Sequence, residues 1–144
     1  MKANEETEAA VVKTLKALLT AYGERDLDRV MECYAPDPDT TAFGTNLDQF
    51  LVGGDRIREA YQDDFEAFDR LGIKLLNYQV SAEGRVAWLS AQCTAFFEIE
   101  GEEIRSQGRL TAVLLQRENR WRVIQFHLSF PADQQGTEVP SHRL

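Results

Sequence analysis

From Ile73 to Phe130 the chain reads as β-strand interrupted by almost nothing, and this constrains the fold more than any other feature. Strands are expected at about Ile73–Ser81, Val86–Glu98, Ile104–Gln116 and Arg120–Phe130. The connections "AEGR", "EGEE" and "REN" are far too short to carry a crossover helix, so neighbouring strands must run antiparallel. On the second of these strands Ala87, Leu89, Ala91, Cys93, Ala95 and Phe97 make one continuous apolar face. The opposite face, Val86, Trp88, Ser90, Gln92, Thr94 and Phe96, lacks the polar alternation of a sheet side exposed to water. Both faces are therefore expected to be covered, one by helices and the other by a second copy of the chain. A homodimer follows as an expectation.

The N-terminal half supplies the helices. From about Glu5 to Glu24, Val11, Leu15, Leu18 or Leu19, and Tyr22 recur at helical spacing. Asp26 is placed to cap a second helix running through Tyr34, and the prolines of "APDPD" end it. The stretch "TTAFGTNLDQFLVGG" reads as two short strands or a small hairpin. Asp55 opens a third helix with Ile57, Tyr61, Phe65 and Phe68 on one face, ending near Gly72. Helices followed by a long-stranded antiparallel sheet define an α+β layout. The expectation is a single domain over residues 1–144, with a core of about 5–131 and a flexible tail at 132–144.

With 144 residues, a chain buries roughly 70% of its unfolded surface, enough for a real core. No apolar run approaches the ~20 residues of a membrane helix, and "MKANEETEAA" has neither the basic nor the apolar region of a secretory signal. Cys33 and Cys93 stand alone, so a reduced, cytoplasmic setting is the simplest reading. A net charge of −8 argues against nucleic acid, which needs a basic stripe. Arg117, Arg120 and Arg122 surround a turn and are diluted by Glu118. Two histidines and two isolated cysteines offer no metal set, and no GxSxG, P-loop or GxGxxG motif calls for a nucleophile or a cofactor. The glycines of "VGGDRI" before a helix read as a turn with an Asp cap.

The segments "GERDLDRVMECYAPD", "TTAFGTNLDQFLVGGDRIREAY" and "GRLTAVLLQRENRWRVIQFHLSFP" resemble those of nuclear transport factor 2-like proteins, in particular the SnoaL-like group. The last two segments are also similar to the association domain of calcium/calmodulin-dependent protein kinase II. The resemblance implies a cone: a curved antiparallel sheet around a long first helix, with a pocket at the open end and dimerisation through the outer sheet face. Function does not follow from fold, because this fold carries isomerases, dehydratases, cyclases and assembly domains.

Carried over residue by residue, the resemblance removes several chemistries. The ketosteroid isomerase base falls at Ala42, its tyrosine at Leu18 and its buried acid at Thr111 or Ala112, so none of the three groups is kept. Against the association domain, Arg58 stands at the histidine position, while Ser90, Ala112 and Leu128 stand at arginine positions. Bidentate capture of an anion through those positions is lost, and the pocket becomes mainly apolar. The ligand-pocket candidates are then Tyr22, Phe43, Arg58, Tyr61, Trp88, Ser90, Gln92, Ala112, Ile124, Phe126 and Leu128, with Phe65, Leu110 and Leu114 beside them. The alternative is that these side chains simply fill the cone. Strand parity puts Arg109, Thr111, Trp121, Gln125, His127 and Ser129 on the outer face as dimer contacts. Candidate catalytic residues are His127, Asp48 and Arg109. His127 suits proton transfer but reads more readily as a structural group at the subunit face, unless a bulge reverses the parity.

The expectation is a small organic ligand in an apolar pocket, with isomerase or lyase-type chemistry as an option. The alternative is a non-enzymatic oligomerisation or adaptor domain.

Overall fold

In a computed structural model, which describes residues 1–134, a curved sheet of six strands packs around an N-terminal helix. Helix α1 spans Glu5–Gly23 and α2 Leu27–Glu32. Strands β1 (Thr41–Phe43) and β2 (Phe50–Val52) form a hairpin ahead of α3, Gly54–Ala67. Four long strands follow: β3 Arg70–Glu83, β4 Val86–Ile99, β5 Glu102–Arg117 and β6 Arg120–Ser129. The spatial order is β2-β1-β6-β5-β4-β3. The α+β cone expected from the sequence is the observed fold.

The tight turns have the backbone such short connections require. Glu100 and Gly101, and Glu118 and Asn119, all have positive φ, matching the right-handed twist of the strands they join. Asn4 caps α1 by accepting from the Thr7 amide at 2.8 Å, and Asp26 caps α2 through the Arg29 amide at 3.2 Å. The cap of α3 is Gly53, with φ +91, rather than Asp55, which lies inside the first turn.

Three local features depart from the sequence expectation. The first is that β1 runs parallel to β6, so the sheet is not antiparallel throughout. The second is that α3 stops at Ala67 and Gly72 lies within β3, opposite Phe96. A Cβ on Gly72 would stand 2.5 Å from the Phe96 ring, so this glycine lets the ring lie across the strand. The third is a bulge in β6. Val113 pairs with Gln125, but Leu114 pairs with Val123, leaving Ile124 as the extra residue. The phase of the strand changes there. Phe126 and Leu128 face inward as expected, and so do Val123 and Trp121, which are 0% and 8% exposed. Trp121 is therefore a core residue and not an outer-face contact.

The core joins Val11, Leu15 and Leu18 of α1 to Val80, Leu89, Leu110, Leu114 and Val123 of the sheet. On β4 the inward set is Ala87, Leu89, Ala91, Cys93, Ala95 and Phe97, whose small members let α1 approach. Past β6, Ala132–Gln134 forms a short 3₁₀ turn tied to β5: the Gln134 side chain accepts from the Gln107 amide at 3.1 Å. The remainder of the expected tail, 135–144, lies outside the described residues.

Candidate functional site

The third helix carries an acid in the middle of an apolar stripe. Ile57, Tyr61, Asp64 and Phe68 follow one another at three- or four-residue intervals, which sets them on one helix face. That face closes over the open end of the cone. Arg25, at the bend between α1 and α2, fixes where the helix ends. Its guanidinium donates to the carbonyls of Phe68 at 2.6 Å and Asp69 at 2.9 Å, and also to that of Phe65. A cation on the last carbonyls of a helix satisfies orphan acceptors and the negative end of the helix dipole.

Beneath α3 lies a cavity of ≈170 Å³. Leu18, Leu19 and Tyr22 of α1 form one wall, and Ala42, Leu51, Phe126 and Leu128 of the β2-β1-β6 edge form another. Ile73 and Phe97 lie across from them, with Ile57, Ala60, Tyr61, Asp64 and Phe68 above. The β1–β2 loop, with Gly44, Thr45, Asn46 and Gln49, makes the rim. Gly44 leaves room for the Gln49 side chain, which a Cβ there would push aside and which folds back to accept from the Asn46 amide at 3.2 Å.

Polar atoms in this space are few and paired. The Tyr22 hydroxyl donates to Asp64 Oδ2 at 2.7 Å. The hydroxyls of Tyr61 and Tyr34 lie 2.7 Å apart, and the Tyr22 and Tyr61 rings meet edge to face at 5.7 Å. Asp64 is half-buried, with no cation paired to it among the described residues. Burial pushes its carboxyl above the ordinary value, the Tyr22 hydrogen bond opposes that rise, and the charge of Asp63 adds to it. The Tyr22 hydroxyl is pushed up by burial and by Asp64, and that of Tyr34 by burial and by Tyr61. Both stay protonated, and Tyr22 serves as the donor to Asp64.

Of the ligand-pocket candidates, Tyr22, Tyr61, Phe126 and Leu128 line this cavity, and Phe43 borders it. The Phe43 ring belongs to the other face, stacked on Phe50 at 4.9 Å and 5.1 Å from His127. Ala112 faces inward and is 2% exposed, but it does not line the cavity. Ile124 occupies the bulge. Trp88, Ser90 and Gln92 lie on the outer face, because Leu89 pairs with Ala112 and Ser90 with Thr111, contrary to the inward place the resemblance implies for Ser90. Arg58 is also outside, since the residue after inward Ile57 turns about 100° around the helix. It reaches Asp28 at 2.7 Å instead.

The other candidates do not converge on the cavity. Asp48 is an exposed residue of the β1–β2 turn. Arg109, Thr111, Gln125 and His127 are exposed on the outer face, and Ser129 is half-exposed there. Across four strands Ser90, Thr111, His127 and Phe43 form one outer row. The carboxyl inside the cavity, Asp64, was missed from sequence. Its signal was an aspartate at i+3 from Tyr61 and i−4 from Phe68 on a helix face otherwise apolar.

A wider groove of ≈700 Å³ runs on the far side of α1, bordered by Lys13, Lys16, Arg29, Glu32 and Arg120. It is shallow and charged, and no buried polar group points into it, so the smaller apolar cavity is the stronger candidate. Among the described residues no three His, Cys, Asp or Glu side chains stand close enough to hold a metal ion. Cys33 and Cys93 are unpaired, and no described helix is long and apolar enough to cross a membrane.

A curved, unclosed sheet around a long helix is the form of the nuclear transport factor 2-like superfamily, also called cystatin-like. The chain belongs to the SnoaL-like domain family, which it matches over residues 11–133. No curated protein sequence matches it. Among solved structures it is similar to a proposed aromatic ring hydroxylase from Novosphingobium aromaticivorans, at 20% identity, TM-score 0.80, and 90% and 92% of the two chains covered. A proposed dehydratase of the NTF2-like family from Streptomyces avermitilis has 13% identity, TM-score 0.80, and 88% and 98% coverage. A proposed calcium/calmodulin-dependent protein kinase II association domain from Xanthomonas campestris has 18% identity, TM-score 0.75, and 91% and 90% coverage. At these identities the likeness is one of fold.

Proposed function

We propose that the chain binds a small, lipophilic, ring-bearing organic molecule in the cavity beneath α3. The observation that carries this reading is the cavity itself. Its walls are Leu18, Leu19, Ala42, Leu51, Ile73, Phe97, Phe126 and Leu128, and its few polar atoms converge from Tyr22, Tyr61 and Asp64. Its ≈170 Å³ is close to the ~150 Å³ engineered apolar cavity that takes up benzene. Ring-sized apolar space with a few polar groups is the usual form of a ligand site. Neighbours of this fold described as a dehydratase and a ring hydroxylase support the same ligand class. Isomerase or lyase-type chemistry, if present, would run through Asp64, the one carboxyl lining the cavity.

The test is uptake and its blockade. Single-ring lipophilic compounds should raise the melting temperature and show density in the cavity of crystals, and Leu128→Trp should abolish both. Failure of every such compound to shift melting, with an empty cavity in soaked crystals, would falsify the reading.

The outer row of Ser90, Thr111, His127 and Phe43, continued by exposed Phe50 and Val52, favours a homodimer through that face. It equally suits the second reading, an oligomerisation or adaptor domain. Light scattering on wild type and His127→Ala, with native mass spectrometry, separates these. A dimer weakened by the substitution, with ligand uptake intact, supports the binding protein. Larger rings without uptake support the adaptor, and a strict monomer overturns both interfaces.

A further inference from the structure

Asp64 presents an unusual balance of charge. One oxygen, Oδ2, accepts from the Tyr22 hydroxyl at 2.7 Å. The other makes no hydrogen bond to the protein, and every side-chain oxygen or nitrogen fully buried among the described residues is partnered, so Oδ1 is left accessible. Among the described residues, the groups facing the carboxyl carry no positive charge. From α1 comes Tyr22, and from α3 itself come Tyr61 and the like-charged Asp63. The sheet contributes only Ala42, Leu51, Ile73, Phe97, Phe126 and Leu128, and the β1–β2 rim is neutral. Nearby Arg25 is committed to the carbonyls at the end of α3.

A half-buried carboxylate without a counter-ion is costly, and an incoming cation removes that cost. The rings of Tyr22, Tyr61 and Phe68 line the same space, and the negative face of an aromatic ring attracts an ammonium group. Among the described residues no cationic side chain lines the cavity, so an anionic ligand would meet the Asp64 charge with no cation to offset it.

We propose that the cavity selects lipophilic amines: the ligand's ammonium group donates to Asp64 Oδ1 while its ring occupies the apolar space between α1, α3 and β6. The selection rests on the cavity reading proposed above and names its ligand class. Tyr22 is the positioning residue, holding one oxygen of a carboxyl that lines the cavity. Because burial raises the carboxyl, amine affinity climbs with pH as Asp64 ionises and falls again when the amine itself loses its proton.

Benzylamine, toluene and benzoate are matched probes that differ mainly in charge. By thermal shift and calorimetry, benzylamine should bind at least about tenfold tighter than toluene, and benzoate weakest. In Asp64→Asn the preference for benzylamine over toluene should vanish, while continued toluene uptake reports that the variant still forms the cavity. Uptake of toluene by wild type with no preference for the amine overturns the selection and leaves the cavity reading standing. A preference that survives Asp64→Asn also overturns it, because the attraction would then come from the overall charge of −8. Absence of uptake of all three probes overturns the cavity reading and the selection together. If the variant does not fold, the wild-type preference measured in high salt decides the matter, because salt screens the overall charge far more than a contact ion pair, and loss of the preference there overturns the selection.

Discussion

The two ends of α1 face the same sheet and do opposite things. Toward its N-terminal half, Val11 and Leu15 are 0% exposed and belong to one buried cluster with Leu89, Leu110, Leu114 and Val123. Toward its C-terminal end, Leu18, Leu19 and Tyr22 face the cavity. Both stretches show the same helical apolar period. What separates them is the far side: sheet residues fill the first space, whereas over the second α3 is held off by the Tyr22–Asp64 and Tyr34–Tyr61 pairs. Apolar pattern alone therefore marks the inside of a cone without saying which part of the inside is full.

The contrast is most exposed to failure where packing is densest. Leu89→Ala, at 1% exposure in the filled end, should cost about 2–5 kcal/mol of unfolding free energy in urea titrations, the sum of lost transfer energy and an unrelieved void. Leu128→Ala, on the cavity wall, should cost about 1–2 kcal/mol, because its side chain already borders space that water or a ligand can enter. Equal costs at the two positions would erase the distinction between the ends.

The smallest effect concerns pH. Burial raises the folded carboxyl of Asp64 above its unfolded value. Between the two values the folded chain keeps a proton that the unfolded chain has released. Asp64's contribution is then full at pH below the unfolded value and declines as pH climbs through the folded one. Asp37 works in the opposite sense, since its hydrogen bonds to Arg117 at 2.6 and 2.9 Å lower its carboxyl. The Asp64→Asn variant keeps the Asp37 dependence and lacks the Asp64 one. The difference between wild type and variant in urea midpoint should therefore widen in the variant's favour from about pH 4 to about pH 8. A constant difference would mean the carboxyl is not held in a drying environment.

The β half of the molecule was legible because its information is local. Short turns force antiparallel neighbours, and strand alternation assigns faces within each strand. What could not be read was the relation between strands. Trp88, Ser90 and Gln92 stand on the outer face although the resemblance implies a pocket place for Ser90, and a one-residue slip in carrying a strand over inverts every side chain. Trp121 was misplaced by the Ile124 bulge, whose extra residue leaves no mark in composition. Phe126, Leu128, Tyr22 and Tyr61 were found, because apolar spacing on helix and strand suffices to find them. Asp64 was overlooked because only the three-dimensional closure of α3 onto the cone turns an ordinary helix acid into a cavity group.

The parallel pairing of β1 with β6 has a consequence for the order of assembly. Every other strand contact joins sequence neighbours through a turn, whereas Thr41 meets Gln125 across a loop of about 80 residues. Closing such a loop carries an entropic cost that local hairpins avoid. The four long strands can therefore zip up first, and the β1–β2 hairpin arrives last, bringing Ala42, Leu51 and the rim loop with it. The cavity would be the final part of the molecule to exist during folding and the first to be lost. Pulse-labelled amide exchange should find the β4–β5 amides protected ahead of those of β1, and simultaneous protection would contradict this order.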